Sequence, residues 1–114
     1  MFKITQNKGF QMTFKNGMTI SVQFGVGNYC GQRNLEKNRW SEIAKTNNIV
    51  ESDTAEIVIW DKEGTWLSFG SDTVKGWCDT DEVASWIIIT TAATDINDLK
   101  RRVTECGMIG IQND

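Results

Sequence analysis

The chain has 114 residues, a length typical of a single domain, and its 12 Lys and Arg against 15 Asp and Glu give a net charge of −3. This mild acidity argues against general nucleic-acid binding and against binding to anionic membranes, because both normally need a basic face. The sequence contains no histidine, which excludes Ser–His, Cys–His and histidine-based acid–base catalysis and removes the commonest zinc ligand.

The sequence pattern contains no recognisable membrane-directing segment. No apolar run approaches the roughly 18 residues of a transmembrane helix, and the N-terminus lacks the apolar core of a signal peptide. We therefore expect the protein to stay in the cytoplasm. Its cysteines, Cys30, Cys78 and Cys106, are odd in number and form no CxxC pattern, so reduced thiols are expected.

The first predicted elements are strands. Residues 2–5 alternate in hydrophobicity and predict a short edge strand. Residues 10–14 and 18–24 alternate in the same way on either side of an Asn-Gly turn. The sequence therefore predicts a β-hairpin over residues 10–24.

The length of the hairpin loop can be decided from the apolar pattern. A two-residue loop of Asn16 and Gly17 places the two apolar rows on opposite faces of the hairpin. A three-residue loop that also includes Lys15 places both rows on one face, so we predict that register, with Gly17 in a left-handed conformation. The predicted pairs are Phe14 with Met18, Met12 with Ile20 and Phe10 with Val22.

The stretch GVGNYCG at residues 25–31 has two glycines one residue apart. It indicates either a sharp structural turn or a set of backbone donors for a ligand. It lacks the third glycine of a dinucleotide fingerprint and the Gly-Lys-Ser/Thr of a P-loop. Under the ligand hypothesis the contacts come from Gly27, Asn28 and Tyr29.

Residues 32–53 form a long polar connection without a regular pattern, and connections of this length in small domains are often functional. The stretch is either a solvated loop or a lid over an anionic or aromatic ligand, since guanidinium groups suit phosphates and a ring suits bases. Under the second hypothesis Arg33, Arg39 and Trp40 bind the ligand. The local cations are Arg33, Lys37, Arg39 and Lys45.

A second hairpin is predicted over residues 54–69, with a turn at the Asp-Lys-Glu-Gly stretch. A three-residue loop at residues 62–64 keeps the aliphatic face continuous and places Trp60 opposite Trp66 on the other face. These two rings are candidates for a packing or oligomer interface or, alternatively, for a stacking platform. The aliphatic pairs predicted by this register are Ile59 with Leu67 and Ile57 with Phe69.

Residues 74–78 are predicted to be a short extended link, followed by a helix. Asp79 is the candidate N-cap, and Glu82 completes a capping box. The helix is expected to run to about Thr91, but its β-branched residues have poor helix propensity, so a strand over residues 86–91 is the alternative. The predicted apolar stripe is Val83, Trp86, Ile87 and Thr90, widened by Ile88 and Ile89.

A second helix is predicted from about residue 95 to residue 106, with Gly107 as its C-cap. Its apolar stripe is Ile96, Leu99, Val103 and Cys106. The pattern as a whole predicts a single α+β domain. An antiparallel sheet of two hairpins, about four or five strands, packs against one or two C-terminal helices.

The stretch GFQMTFKNGMTISVQFGVGNYC at residues 9–30 resembles the signature of a family of small tailed-phage and prophage proteins. TAEIVIW at residues 54–60 is similar to the second block of that family. Residues 74–83 are similar to its third block, a V-x-G-aromatic sequence followed by an acidic helix start. Val26 stands where we expect proline in the family. The resemblance implies no catalytic residues.

The resemblance also implies a setting, an infected bacterial cell, where small phage proteins often counteract host immunity. The first hypothesis is a non-enzymatic protein that sequesters a small anionic, nucleotide-like immune signal. This hypothesis rests on analogy of context. The alternative is an inhibitor or accessory protein that binds a host defence protein, or a second copy of itself, through an acidic surface and the Trp60–Trp66 pair.

An enzyme is the third hypothesis. A nuclease or phosphodiesterase needs a carboxylate cluster that holds metal ions, or a histidine base. Cys30 has no histidine to activate it. We therefore predict no enzymatic activity, no cofactor and no metal. The available acidic residues are better explained by turns and helix caps; they are Asp61, Glu63, Asp79, Asp81 and Glu82.

Overall fold

A computed structural model describes residues 1–5, 8–24 and 51–108 of the chain. The predictions for residues 25–50, including the proposed ligand-binding residues, lie outside the described residues. The strands are β1 (Phe2–Ile4), β2 (Gly9–Thr13), β3 (Thr19–Gln23), β4 (Ala55–Trp60) and β5 (Lys75–Cys78), and the helices are α1 (Thr80–Ala92) and α2 (Ile96–Glu105).

The described strands form one five-stranded antiparallel sheet in the order β1-β2-β3-β4-β5. Both helices follow the strands in the chain. The predicted α+β class, with an antiparallel sheet and C-terminal helices, is confirmed. The predicted edge strand at residues 2–5 is confirmed as β1, which lies at one edge of the sheet.

The register of the first hairpin is confirmed. The Phe14 amide donates to the Met18 carbonyl over 2.9 Å, which closes the three-residue loop. Gly17 has φ of +85°, the left-handed conformation that the loop requires. The apolar alternation therefore determined the loop length, since a one-residue slip would turn Met18 and its row away from the core. The observed pairs include Met12 with Ile20 and Phe10 with Val22.

The second hairpin is only partly as predicted. Trp60 pairs with Trp66, and the Leu67 amide donates to the Ile59 carbonyl over 2.8 Å. The predicted pairing of Ile57 with Phe69 is wrong, because Ile57 pairs with Lys75 instead.

The chain leaves this hairpin through a turn just after Leu67. The Phe69 amide donates to the Asp72 carbonyl over 2.8 Å, and Gly70 has φ of +116°, a conformation that glycine adopts without a steric penalty. Residues 74–78, predicted as a link, therefore return as strand β5 beside β4. The register between β4 and β5 shifts between Ala55 and Ile57.

One face of the sheet packs against the helices. Trp86 of α1 is fully buried and meets the Phe69 ring edge-on, with ring centroids 5.1 Å apart. This contact fills the space between the turn after Leu67 and the helix. The buried apolar side chains that form this core are Met18, Ile20, Val22, Ala55, Ile57, Ile59, Leu67, Cys78, Trp86, Ala93, Ile96, Leu99 and Val103.

Helix α1 begins with the predicted capping box. The Glu82 amide donates to Asp79 Oδ1 over 2.8 Å, and the Asp79 amide donates to Glu82 Oε1 over 3.5 Å. The strand alternative is therefore wrong. Within the helix, the Thr90 hydroxyl donates to the Trp86 carbonyl over 2.6 Å, so the β-branched residue is accommodated by a bond to the preceding turn.

Two predicted members of the buried helix stripes are exposed. Ile88 is 70% exposed because it follows Trp86 by two residues and so lies on the opposite side of α1. Cys106 is exposed because α2 ends at Glu105. Gly107 then turns the chain with φ of +73°, as the predicted C-cap requires.

The hairpin loop and the end of α1 are joined by the side chain of Asn16. Its amide nitrogen donates to the carbonyls of Thr90 over 2.8 Å and Ala93 over 2.6 Å, with a longer contact of 3.3 Å to Thr91. Its oxygen accepts from the Met18 amide over 2.9 Å. Asn16 therefore gives a side-chain donor to the carbonyls at the C-terminal end of α1, where intrahelical donors run out; the Thr90 carbonyl also accepts from the Ala93 amide over 3.4 Å.

We expect Asn16→Asp to lower the free energy of unfolding by about 1–3 kcal/mol, the typical cost of leaving buried acceptors without a donor. The new carboxylate cannot donate, and it brings negative charge to the negative end of the helix dipole. Urea unfolding followed by circular dichroism measures the change.

The matched control is Asn97→Asp. Asn97 is exposed in the first turn of α2, where negative charge is favourable, so stability should stay the same or rise slightly. Equal losses of stability in both variants would contradict the role assigned to Asn16.

Candidate functional site

A cavity of about 260 Å³ lies between the sheet and the first turns of α1. It is larger than the cavity of about 150 Å³ that admits benzene in an engineered protein. The cavity is thus large enough for a small aromatic ring system. Its apolar walls are formed by Phe10, Val22, Phe24, Ala55, Val83 and Ile87.

The polar groups of the cavity come from the segment before β4 and from the start of α1. Thr54 Oγ1 is buried and has no hydrogen-bond partner among the described residues, an unusual state for a buried hydroxyl. Asp53 is an exposed carboxylate. Asp79 uses Oδ1 to cap the helix, and Thr80 follows it. The polar side chains of this cavity are therefore hydroxyls and carboxylates.

The Cys78 thiol also lines the cavity and is the buried free cysteine of the described residues. Burial raises the pKa of this thiol from its ordinary 9.0 to about 11, opposed by nearby Lys75 and reinforced by Glu82 and Asp79. A thiol with so high a pKa is protonated at neutral pH and is a poor nucleophile. Cys78 is therefore a structural part of the wall.

The segment that carries the predicted ligand-binding residues joins the described fold at this cavity. Phe24, the last described residue before the segment, and Ser52, close after it, both line the cavity. The predicted ligand-binding residues themselves lie outside the described residues: Gly27, Asn28, Tyr29, Arg33, Arg39 and Trp40. Their placement thus stays a prediction.

The arginines among the described residues are held in ion pairs on α2. Arg101 contacts Asp98 at 2.6 Å and Glu105 at 3.2 Å, and Arg102 contacts Asp98 at 2.9 Å. Hydrogen bonds from Arg102, the Thr94 amide and Arg101 hold the pKa of the Asp98 carboxyl well below its usual range. Both guanidinium groups are thus paired with carboxylates of the same helix.

Trp60 and Trp66 are brought together as predicted. Their ring centroids are 5.7 Å apart, with the planes inclined by 23°, a stacked arrangement. Trp66 is 49% exposed. Since Ile59 points into the core, its neighbour Trp60 lies on the outer face of the sheet. The pair thus forms a partly exposed aromatic surface opposite the helix layer.

The sequence pattern gave no indication of the conformation of Trp77. This residue is 53% exposed and has φ of +58°, which is rare for a residue other than glycine. The preceding Gly76 and the shift of register in β4–β5 accompany this local conformation. No aromatic neighbour of Trp77 is found among the described residues.

Three of the five carboxylates considered for catalysis, Asp61, Asp79 and Glu82, have structural roles. Asp61 is buried and accepts from the Glu63 and Thr65 amides through Oδ1 over 3.1 and 2.9 Å, which stabilises the turn after β4. Asp79 and Glu82 form the capping box. Within residues 1–5, 8–24 and 51–108, no group of three His, Cys, Asp or Glu side chains is arranged to hold a metal ion.

Comparison with known proteins identifies no relative: no protein-family model, curated protein or solved structure matches the chain significantly. The resemblance to tailed-phage proteins therefore stays a prediction. Neither described helix is long and apolar enough to cross a membrane.

We expect the stability of the protein to fall between pH 9 and about pH 11 because of Cys78. The thiol pKa is raised in the folded state, so the unfolded chain loses its proton first as the pH rises. The contribution is complete below pH 9 and is lost as the pH approaches the folded pKa. Urea unfolding at a series of pH values measures this loss.

The matched control is Cys78→Ala, which removes this titration while leaving the lysines and Tyr29 in place. The difference in the free energy of unfolding between the two proteins should decline over this pH range. A constant difference would show that the Cys78 thiol has the same pKa in both states.

Proposed function

We propose that the protein is a phage-encoded binding protein without catalytic activity that sequesters a small, anionic, nucleotide-like immune signal of the host. The observation that carries the proposal is the cavity between the sheet and α1, lined by Phe24 and Ser52 at the two ends of the segment that contains the cationic cluster. The cavity is thus lined by residues next to both ends of the segment that contains the cations.

The apolar cavity and the cationic segment suit the base and the phosphates of a nucleotide, respectively. The apolar walls of the cavity suit a planar ring, and its hydroxyl and carboxylates can accept hydrogen bonds from the ring. Phosphates need cations or backbone amides. The arginines of α2 are paired with Asp98 and Glu105, and we assign this task to Arg33 and Arg39, with Gly27, Asn28 and Tyr29 as donors and Trp40 as a stacking ring.

The biological part of the proposal rests on the resemblance of residues 9–30, 54–60 and 74–83 to small tailed-phage proteins. In an infected bacterium, a protein that holds a signalling nucleotide tightly would silence the defence that the nucleotide activates. Binding alone suffices for this action, so no catalytic residues are needed. Asp61, Asp79 and Glu82, which could have been catalytic carboxylates, have structural roles instead. The expected site of action is the cytoplasm of the host cell.

The proposal predicts that the protein captures a nucleotide-like compound and that capture depends on Arg33 and Arg39. Purified protein is incubated with small-molecule extract from phage-challenged cells that carry a defence system, then washed and denatured. Mass spectrometry of the released compounds should find a stoichiometric species with wild type and little with the Arg33→Ala/Arg39→Ala variant, because its phosphates lose their cations.

The control variant is Arg101→Ala, which removes an exposed guanidinium already paired with Asp98 and Glu105, so it should capture as much as wild type. Equal capture by the Arg33→Ala/Arg39→Ala variant would overturn the assignment of those residues. Absence of any captured compound across several defence systems would overturn sequestration itself.

A second candidate function is supported by the exposed Trp60–Trp66 pair. A stacked pair of aromatic rings of which one, Trp66, is half exposed on a sheet face is typical of protein interfaces. We propose as the alternative that this face binds a host defence protein, or a second copy of the chain in a homo-oligomer. The acidic net charge would then favour a basic partner surface.

The alternative predicts that Trp66→Ala abolishes capture of a specific host protein, or dissociates an oligomer measured by sedimentation equilibrium. The control is Trp77→Ala, which removes an equally exposed indole outside the stacked pair. Equal behaviour of wild type, Trp66→Ala and Trp77→Ala in both measurements would exclude the Trp60–Trp66 face as the interface.

A further inference from the structure

We propose that the cavity beneath α1 binds the ring half of the ligand and selects a planar nitrogen heterocycle whose edge presents N–H donors, of which guanine is the best match among the common bases. This inference rests on the proposed function and specifies the chemistry of its ligand. It draws on the described residues alone, namely the walls of the cavity and the polar groups of residues 53, 54 and 79.

The size and the walls of the cavity favour a flat ring. A volume of about 260 Å³ exceeds that of a cavity known to accept benzene, which leaves room for a fused bicyclic ring. Phe10 and Phe24 come from the sheet side, and Val83 and Ile87 come from α1. A ring inserted between these two layers removes apolar surface from water on both of its faces.

The polar groups of the cavity are suited to accept hydrogen bonds. Asp53 is a carboxylate with no hydrogen-bond partner among the described residues, and a carboxylate has only acceptor sites. Asp79 places a second carboxylate at the start of α1, with Oδ1 already used by the Glu82 amide. A ligand edge that donates hydrogen bonds is therefore favoured over one that only accepts them.

Thr54 supplies an independent indication of a ligand. Its Oγ1 is buried without a partner among the described residues, although a buried hydroxyl normally makes at least one hydrogen bond. The same residue lines the cavity. A ligand whose polar edge reached this hydroxyl would satisfy it, whereas a purely apolar occupant would leave it without a partner.

The carboxylates also determine the orientation of the ligand. Phosphate groups near Asp53 and Asp79 would be repelled, so the ring enters the cavity and the phosphates point away from it. Guanine presents adjacent ring N–H and amino donors, which match the two oxygens of one carboxylate. Inosine differs from guanosine by the missing amino group and so isolates this contact.

The test is isothermal titration calorimetry of the intact protein with guanosine, inosine and 5′-GMP. Guanosine should bind about tenfold or more tightly than inosine, as expected for one lost charge-assisted contact. Asp53→Asn should remove most of this preference. Asp79→Asn should weaken guanosine binding without unfolding the protein, because asparagine is an equally good N-cap.

Two further variants separate a ligand contact from a structural effect. Thr54→Val should raise the melting temperature of the free protein, because it removes a buried hydroxyl without a partner, and yet weaken guanosine binding severalfold. Ala84→Trp should block the cavity, whereas Ala92→Trp, at an exposed position at the far end of α1, should bind as wild type does.

The outcomes distinguish the inference from the proposed function. If guanosine binds to wild type and Ala84→Trp abolishes this binding, the inference is supported. If 5′-GMP binds no more tightly than guanosine, the proposal that the ligand is anionic is contradicted. Capture of a nucleotide whose affinity is unchanged by Ala84→Trp, Asp53→Asn and Thr54→Val would overturn the inference and leave sequestration standing. Equal affinity for guanosine and inosine would show that the carboxylates of the cavity do not select a ligand edge that donates hydrogen bonds.

Discussion

The hydrogen bonds from Asn16 to the last carbonyls of α1 are the interaction on which the rest of the structure depends. They join the tip of the β2–β3 hairpin to the helix layer, while the capping box of Asp79 fixes the other end of the helix beside β5. Between these ends, Trp86 fills the core against Phe69. Because α1 is held at both ends, its first turns remain above the sheet and the cavity between them stays open.

The two candidate surfaces lie on opposite faces of the sheet. The cavity opens between the helix layer and the inner face, where Val22 and Ala55 form part of its wall. The Trp60–Trp66 pair lies on the outer face. The two sites share no lining residue, so the two proposed functions can be tested by separate substitutions. The arginines of α2 do not line the cavity, and they are paired with Asp98 and Glu105.

Features encoded within a few residues could be predicted from the sequence. Apolar alternation determined the loop at Asn16, and the spacing of Asp79 and Glu82 determined where α1 begins. Features that depend on contacts between residues distant in the chain could not be predicted in this way. Asn16 contacts a carbonyl 74 positions away, and the cavity collects walls from separate strands and a helix. The pairing of Ile57 was also missed, because residues 65–69 alternate more regularly than the β5 sequence KGWC.

The most direct test of ligand binding in the cavity is a titration with 5′-GMP followed by methyl and indole nuclear magnetic resonance. If the ring enters between the sheet and α1, the methyl signals of Val22, Ala55 and Val83, which line the cavity, should shift together and saturate at one ligand per chain. The indole signal of Trp66, on the outer face, should stay in place. Shifts confined to Trp60 and Trp66, with unchanged cavity methyls, would contradict binding beneath α1.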